Sequence, residues 1–103
     1  MKQVLVDLLK ENGFSEQPVE NEILKRCDGL ILQREWEHEV EVLWHGLVTS
    51  RYSVRVFVNR DSGICHVTYG KDGLTVKDRW YDTIGKRTFN AIVETTRCAG
   101  FDL

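Results

Sequence analysis

The clearest pattern in this sequence is a strict alternation of carboxylates with apolar or aromatic residues across residues 35–42, which read Glu-Trp-Glu-His-Glu-Val-Glu-Val. Successive side chains of an extended strand point to opposite faces, and a period of two does not fit a helix. The alternation therefore predicts a strand with one acidic face and one apolar, aromatic face. The acidic face would carry Glu35, Glu37, Glu39 and Glu41, and the other face Trp36, His38, Val40, Val42 and Trp44.

The same period of two continues on both sides of this segment and predicts four strands. Residues 30–45 form one long or bent strand that reverses near residues 46–50, and residues 51–59 form the next strand. Turn-forming residues at 59–63 and 70–73 predict two hairpins, with strands at 64–69 and 74–81. Within the last strand, Leu74, Val76 and Trp80 are predicted to face the core.

Helical spacing of apolar residues appears near both ends of the sequence. Residues 4–9 predict an amphipathic helix that stops at Gly13, where glycine can adopt the left-handed conformation. Pro18 and the acidic residues after it allow a second short helix before Gly29. Thr83 or Asp82 is expected to cap a final helix. The buried stripe of that helix would contain Phe89, Ile92, Val93 and Thr96.

Together these elements predict one α+β domain spanning residues 1–103. We expect a mainly antiparallel four-stranded meander, with an N-terminal helix or helix pair and a C-terminal helix packed on one face. The three tryptophans are expected to line the core beneath the helices.

Composition supports a folded, reduced protein. The chain is 42% hydrophobic and 29% charged and contains one proline, which is typical of a globular domain. No apolar run is long enough to span a membrane, and the first residues do not resemble a secretory signal. The three cysteines, Cys27, Cys65 and Cys98, are odd in number and widely spaced. We therefore expect a cytoplasmic protein with free thiols and no membrane partner.

The acidic face of residues 35–42 is the strongest indication of function. Four carboxylates in a row must be met by solvent, by cationic neighbouring strands or by a basic partner. A turn at 46–50 would bring Arg55 near Glu39 or Glu41, and Arg51 near Leu43 or His45, so neutralisation inside the protein would be partial. Charge on an outer strand also prevents edge-to-edge aggregation, which is sufficient by itself to explain the pattern.

These observations predict a small non-catalytic interaction module of the inhibitor, immunity or adaptor type, which presents the acidic strand to a basic protein partner. An apolar back face on an outer strand also makes a homodimer a reasonable expectation. The predicted partner-binding residues are Glu35, Glu37, Glu39, Glu41, Trp36 and Trp44.

Nucleic-acid binding is the first alternative, although the formal net charge is −2. If the valines of strands 51–59 and 74–81 face the core, cationic and aromatic residues share the outer face. Arginine can contact phosphate while aromatic rings stack on unpaired bases. This predicted patch consists of Arg55, Phe57, Lys77, Arg79 and Tyr81.

An enzyme that uses Cys65 or the histidines is the second alternative. Cys65 and His66 are neighbours in a predicted strand and should point to opposite faces, and so should His38 and His45. No spacing of cysteine and histidine matches a structural zinc site. We therefore expect no catalytic residues, no metal and no cofactor.

Overall fold

The computed structural model of the protein describes residues 4–20, 22–26, 28–44 and 46–98. The helices are α1 (Val4–Glu11), α2 (Glu22–Arg26) and α3 (Lys86–Cys98). The strands are β1 (Ser15–Gln17), β2 (Gly29–Val42), β3 (Gly46–Asn59), β4 (Ile64–Lys71) and β5 (Leu74–Tyr81). In these described ranges, no helix has the length and apolar character needed to cross a membrane.

The strands form one antiparallel sheet in the order β1-β2-β3-β4-β5. The α+β class, the antiparallel meander and the helices near both ends are thus confirmed, but the sheet has five strands rather than four. The additional strand, β1, pairs only with residues 31–33 of β2. Its three residues, Ser-Glu-Gln, are too few and too polar to show an alternating pattern.

The hairpin of β2 and β3 is longer than expected, because the chain reverses between Val42 and Gly46 rather than at residues 46–50. Trp44 and Gly46 both have positive φ, 74° and 73°, and Val42 pairs with Gly46. Leu47, Val48 and Thr49 then belong to β3, and Val48 and Thr49 are β-branched, which favours a strand. The predicted pairing is therefore wrong: Arg55 lies opposite Gln33, and Arg51 lies opposite Glu37.

The hydrophobic core lies between one face of the sheet and helices α1 and α3. We call this face the helix side and the opposite face the outer side. Directly opposed residues share a face, so the register places alternate residues of β2, β3 and β4 on the helix side. The core includes Leu5, Leu9, Leu30, Leu32, Val54, Val56, Val58, Cys65, Val67, Tyr69 and Ile92.

Residues 77–81 of β5 present the opposite face from the one predicted, whereas Leu74 lies opposite Lys71 on the helix side. Tyr81 lies opposite Cys65 and Arg79 opposite Val67, so both are on the helix side, while Trp80 lies opposite His66 on the outer side. The Tyr81 hydroxyl is 3.5 Å from Thr95 Oγ1 in α3, which confirms the assignment. Trp80 is 67% exposed and does not line the core. A register shift near Tyr69 and Gly70 interrupts the simple alternation.

The helix ends follow from local hydrogen bonds. Gly13 has a φ of 88°, its N–H donates to Lys10, and Phe14 donates to Leu9 and is buried, which confirms the predicted stop of α1. Near the other end of the chain, α3 begins at Lys86. A capping residue directly precedes its helix, so the predicted cap at Asp82 or Thr83 is wrong. The Thr83 hydroxyl instead lies 2.7 Å from the Thr88 hydroxyl.

Candidate functional site

The two longest strands extend beyond the rest of the sheet as a two-stranded ribbon. We define the ribbon as residues 38–50, and in the described part of the chain β2 and β3 pair only with each other over this range. On one side β1 reaches only residues 31–33 of β2, and on the other β4 reaches only residues 52–59 of β3. The described chain measures 50 × 28 × 21 Å, so it is clearly elongated. The ribbon is therefore a projecting element with two open edges.

Asp72 marks the base of the ribbon on the β3 edge. The N–H of Asp72 donates to the carbonyl of Arg51 at 2.8 Å, and the N–H of Arg51 donates to Asp72 Oδ1 at 2.9 Å. Both backbone groups of Arg51 are thus satisfied by the turn between β4 and β5. Residues 46–50 lie beyond this contact.

The acidic face exists as predicted, and its carboxylates lie on the outer side of β2. All four glutamates are exposed. Glu37 forms a salt bridge with Arg51, in which Glu37 Oε1 is 3.1 Å from Arg51 Nε. Glu35 accepts a hydrogen bond from the Gln33 side chain. Across the ladder, Glu39 faces Thr49 and Glu41 faces Leu47.

Neutralisation of this face by the protein itself is therefore slight. Among the described residues, no cation lies within ion-pair distance of Glu35, Glu39 or Glu41. Arg55, which we expected to offset part of this charge, is opposite Gln33 near the start of the acidic run. The face consequently keeps unneutralised negative charge on the side of the sheet opposite the helices.

The tip of the ribbon is apolar and fully open to solvent. Leu43 is 78% exposed, Trp44 is 92% exposed and Leu47 is 69% exposed. A bulky residue with positive φ is a true backbone outlier, and Trp44 has a φ of 74° while packing its ring against almost nothing. Leu43 and Leu47 were missed as site residues, because the turn was expected at residues 46–50 and its actual position makes them part of the exposed tip.

Trp36 lies at the boundary between the ribbon and the core. Its ring stacks on Tyr52, with centroids 5.9 Å apart and planes 19° apart, and the Arg34 guanidinium carbon is 5.5 Å from its centroid. The ring is partly buried and packs against the core cluster. Trp36 therefore anchors the base of the ribbon, whereas Trp44 is presented at its end.

The predicted basic and aromatic patch is divided between the two faces of the sheet. Arg55 and Phe57 lie on the outer side, but Lys77, Arg79 and Tyr81 oppose core residues of β4 and lie on the helix side. Cations are tolerated there because Arg79 is exposed at the rim of the sheet. The expectation of one continuous face is therefore wrong.

In place of that patch, the outer side carries an aromatic row that depends on the register of three strands and is not visible in the sequence pattern. Phe57 lies opposite His66, and His66 lies opposite Trp80. The rings of His66 and Trp80 stack with centroids 4.1 Å apart and planes 15° apart. Asp78 Oδ2 is 3.5 Å from His66 Nε2, so a carboxylate lies beside this aromatic row.

Cys65 and His66, which suggested catalysis, lie on opposite faces of the sheet. Cys65 is buried on the helix side, whereas His66 faces the outer side, which confirms the predicted opposition of these neighbours. Burial raises the pKa of the Cys65 thiol to about 12, so the reactive thiolate is disfavoured. His38 belongs to the ribbon, and His45 and Cys27 lie outside the described residues.

No metal-binding group emerges from the described part of the chain, where no cluster of three or more histidine, cysteine or acidic residues is positioned to hold an ion. A comparison of the chain with protein-family models, with curated proteins and with solved structures finds no match. The ribbon combines exposed carboxylates, an exposed apolar tip and a tryptophan with positive φ.

Proposed function

We propose that this protein is a protein-interaction module and that the ribbon is its recognition element. In this proposal the outer face of residues 35–41 contacts a basic protein surface, and Trp44 at the tip inserts into an apolar site on the same partner. The observation that carries the proposal is a projecting ribbon whose carboxylates, Glu39 and Glu41, have no ion-pair partner among the described residues and whose tip holds a strained, exposed tryptophan.

The ribbon itself contributes little to the packing of the fold. Its described side chains between residues 39 and 49 are exposed, so they add little to the core. An isolated two-stranded hairpin is only marginally stable in water. Exposed apolar patches with polar surroundings are typical of interaction sites. Contact with a partner would therefore stabilise an element that gains little from the rest of the protein.

Charge and aromatic surface would have different roles in such a contact. Complementary charge mainly steers association and selects the correct partner. Buried tryptophans are frequent among the residues that contribute most of the binding energy. The acidic face would thus attract a basic partner, while Trp44 would hold it.

The proposal can be tested with two variants that remove the same number of charges from different surfaces. The first changes Glu35, Glu39 and Glu41 to Gln. The second changes Glu11, Glu20 and Glu94, which are exposed elsewhere, to Gln. Proteins captured from a cell lysate by the unmodified chain would be identified, purified and titrated against both variants.

We expect the first variant to lose at least about tenfold in affinity and the second to stay near the unmodified value, because screening weakens distant charges. The loss should shrink as salt is added. If both variants bind the purified partner equally well, the acidic face does not recognise it and the proposal fails.

A further inference from the structure

The backbone of β2 shows which groups its open edge offers. In an antiparallel pair, alternate residues direct both the N–H and the C=O toward the neighbouring strand. Arg60 donates its N–H to the carbonyl of Asp28, and these two residues lie directly beyond the pair of Gly29 and Asn59. Even-numbered residues of β2 therefore bond to β3, and odd-numbered residues point to the other edge.

A second contact independently supports this assignment of even-numbered and odd-numbered residues. The N–H and C=O of Arg51, an odd-numbered residue of β3, point away from β2 and bond to Asp72. Since β1 takes only residues 31–33, the open edge of β2 presents the backbone groups of its acidic residues. These residues are Glu35, Glu37, Glu39 and Glu41.

The charges decide which kind of strand this edge can accept. In a symmetric antiparallel pairing of two copies through this edge, Glu35 would oppose Glu41, Glu37 would oppose Glu39, and neighbouring registers also match glutamates. Like charges directly opposite each other are destabilising. A strand with cations at alternate positions would instead meet each carboxylate on the same face of the extended sheet.

We propose that the open edge of β2 binds an extended segment of a partner protein by strand addition. The segment alternates Lys or Arg with apolar residues. This inference rests on the proposed function and specifies the partner and the binding geometry. The cations lie opposite the glutamates, and the apolar residues lie beside Trp36 and Val42 on the helix side. The pairing of Arg51 with Glu37 across β2 and β3 shows this arrangement inside the protein.

A proline substitution tests the main-chain contact on the protein side. The N–H of Glu39 faces the open edge, so Glu39→Pro removes a donor from that edge without removing one from the pairing with β3. Glu39→Gln is the matched control, since it removes the charge but keeps the N–H. Amide NMR spectra of both variants would establish that the ribbon remains folded.

The probe is a synthetic nonapeptide with Lys at odd positions and Val at even positions, titrated at low and physiological salt. We expect Glu39→Pro to bind about fivefold more weakly than Glu39→Gln, the effect of one lost hydrogen bond. Two further peptides carry N-methyl groups on the Lys amides or on the Val amides. Only one of the two methylated peptides should lose binding. If the added strand is antiparallel, this is the peptide methylated at the Lys amides, because those amides would bond to the glutamates opposite them.

Hydrogen exchange supplies a separate readout. Binding of the peptide should slow exchange at the amides of Glu35, Glu37, Glu39 and Glu41 and leave those of Trp36 and His38, which already bond to β3, unchanged. Equal affinity of the Pro and Gln variants, together with equal binding of both methylated peptides, would overturn strand addition.

The two proposals fail in different ways. If the peptide binding depends on Glu35, Glu39 and Glu41 but is insensitive to Glu39→Pro and to N-methylation, the acidic face binds without adding a strand. If neutralising those three glutamates does not weaken binding of either the peptide or the captured partner, the proposed function itself is wrong.

Discussion

At the scale of single residues, burial decides what Cys65 and Tyr69 can do. Both side chains are fully buried on the helix side, and the Tyr69 hydroxyl donates to the carbonyl of Ile92 at 3.4 Å. Desolvation raises the pKa of Cys65 from 9.0 to about 12 and that of Tyr69 from 10.0 to about 12. The sequence indicated an inert Cys65, since a strand sends Cys65 and His66 to opposite faces, but it did not show which face is covered.

These two residues predict that the protein loses stability in alkali. Because each folded pKa lies above the unfolded value, the unfolded state loses its proton first, so stability is intact below about pH 9 and falls as the pH rises toward 12. Each group contributes a slope of at most about 1.4 kcal/mol per pH unit in its window. Urea denaturation at several pH values from 8 to 11 would measure the slope.

Cys65→Ala is the control for this prediction. The variant should be less stable at pH 8, because it leaves a small cavity, yet its stability should fall less steeply between pH 9 and 11. Parallel slopes for the variant and the unmodified protein would show that the Cys65 thiol does not govern the alkaline loss.

At the scale of elements, local pattern predicted most of the strands, and long-range pairing determined the rest. The period of two predicted most of β2, although the strand ends at Val42 rather than near residue 45. Asp72 and Gly73 give a tight turn in which both φ values are positive, 52° and 83°. The position of the first turn was missed because Leu43 and Trp44 are not typical turn residues. The orientation of β5 was missed because the shift near Gly70 changes which residues share a face.

The turn at the tip of the ribbon carries a prediction of its own. A residue with a side chain pays roughly 1–2 kcal/mol in the left-handed region, and Trp44, at a φ of 74°, recovers almost none of this through packing. Trp44→Gly should therefore leave the free energy of unfolding unchanged or raise it by about 1 kcal/mol. Its affinity for the captured partner should fall by at least about tenfold, as for an anchoring aromatic residue.

Trp80→Ala provides the comparison for this variant, since Trp80 is also exposed but lies in the edge strand β5, which does not pair with either ribbon strand. It should bind the partner normally. Chemical denaturation and titration of all three proteins would suffice. A clear loss of stability in Trp44→Gly would mean that the indole ring stabilises the turn. The positive φ of Trp44 would then be explained by folding rather than by binding.

At the scale of the whole molecule, the protein consists of a packed body and a ribbon that projects from it. The acidic face was predictable, because it needs only the alternation of residues 35–42 and an extended backbone. The open edges were not, because they depend on where β1 and β4 stop, and those limits are set by pairing between distant parts of the chain. The candidate site thus combines a local pattern with a global one.

This division predicts that the ribbon can be removed without unfolding the body. Replacing residues 39–49 with Asn-Gly would join His38 to Ser50, which already face each other as a hydrogen-bonded pair suited to a two-residue turn. Every side chain that the structure describes in the deleted segment is exposed, whereas Ser50 is buried. We expect cooperative unfolding with a change in stability below about 1 kcal/mol, or a Tm shift within about 8 °C.

The shortened protein should also fail to bind the partner or the alternating peptide, although it keeps Glu35 and Glu37, because it lacks Glu39, Glu41 and Trp44. Calorimetry would report the unfolding, and the same titrations would report the binding. If the shortened protein unfolds without cooperativity, the ribbon belongs to the folding unit of the body. If it folds and binds as well as the full chain, recognition lies in the body, and the exposed surface of the ribbon has some other cause.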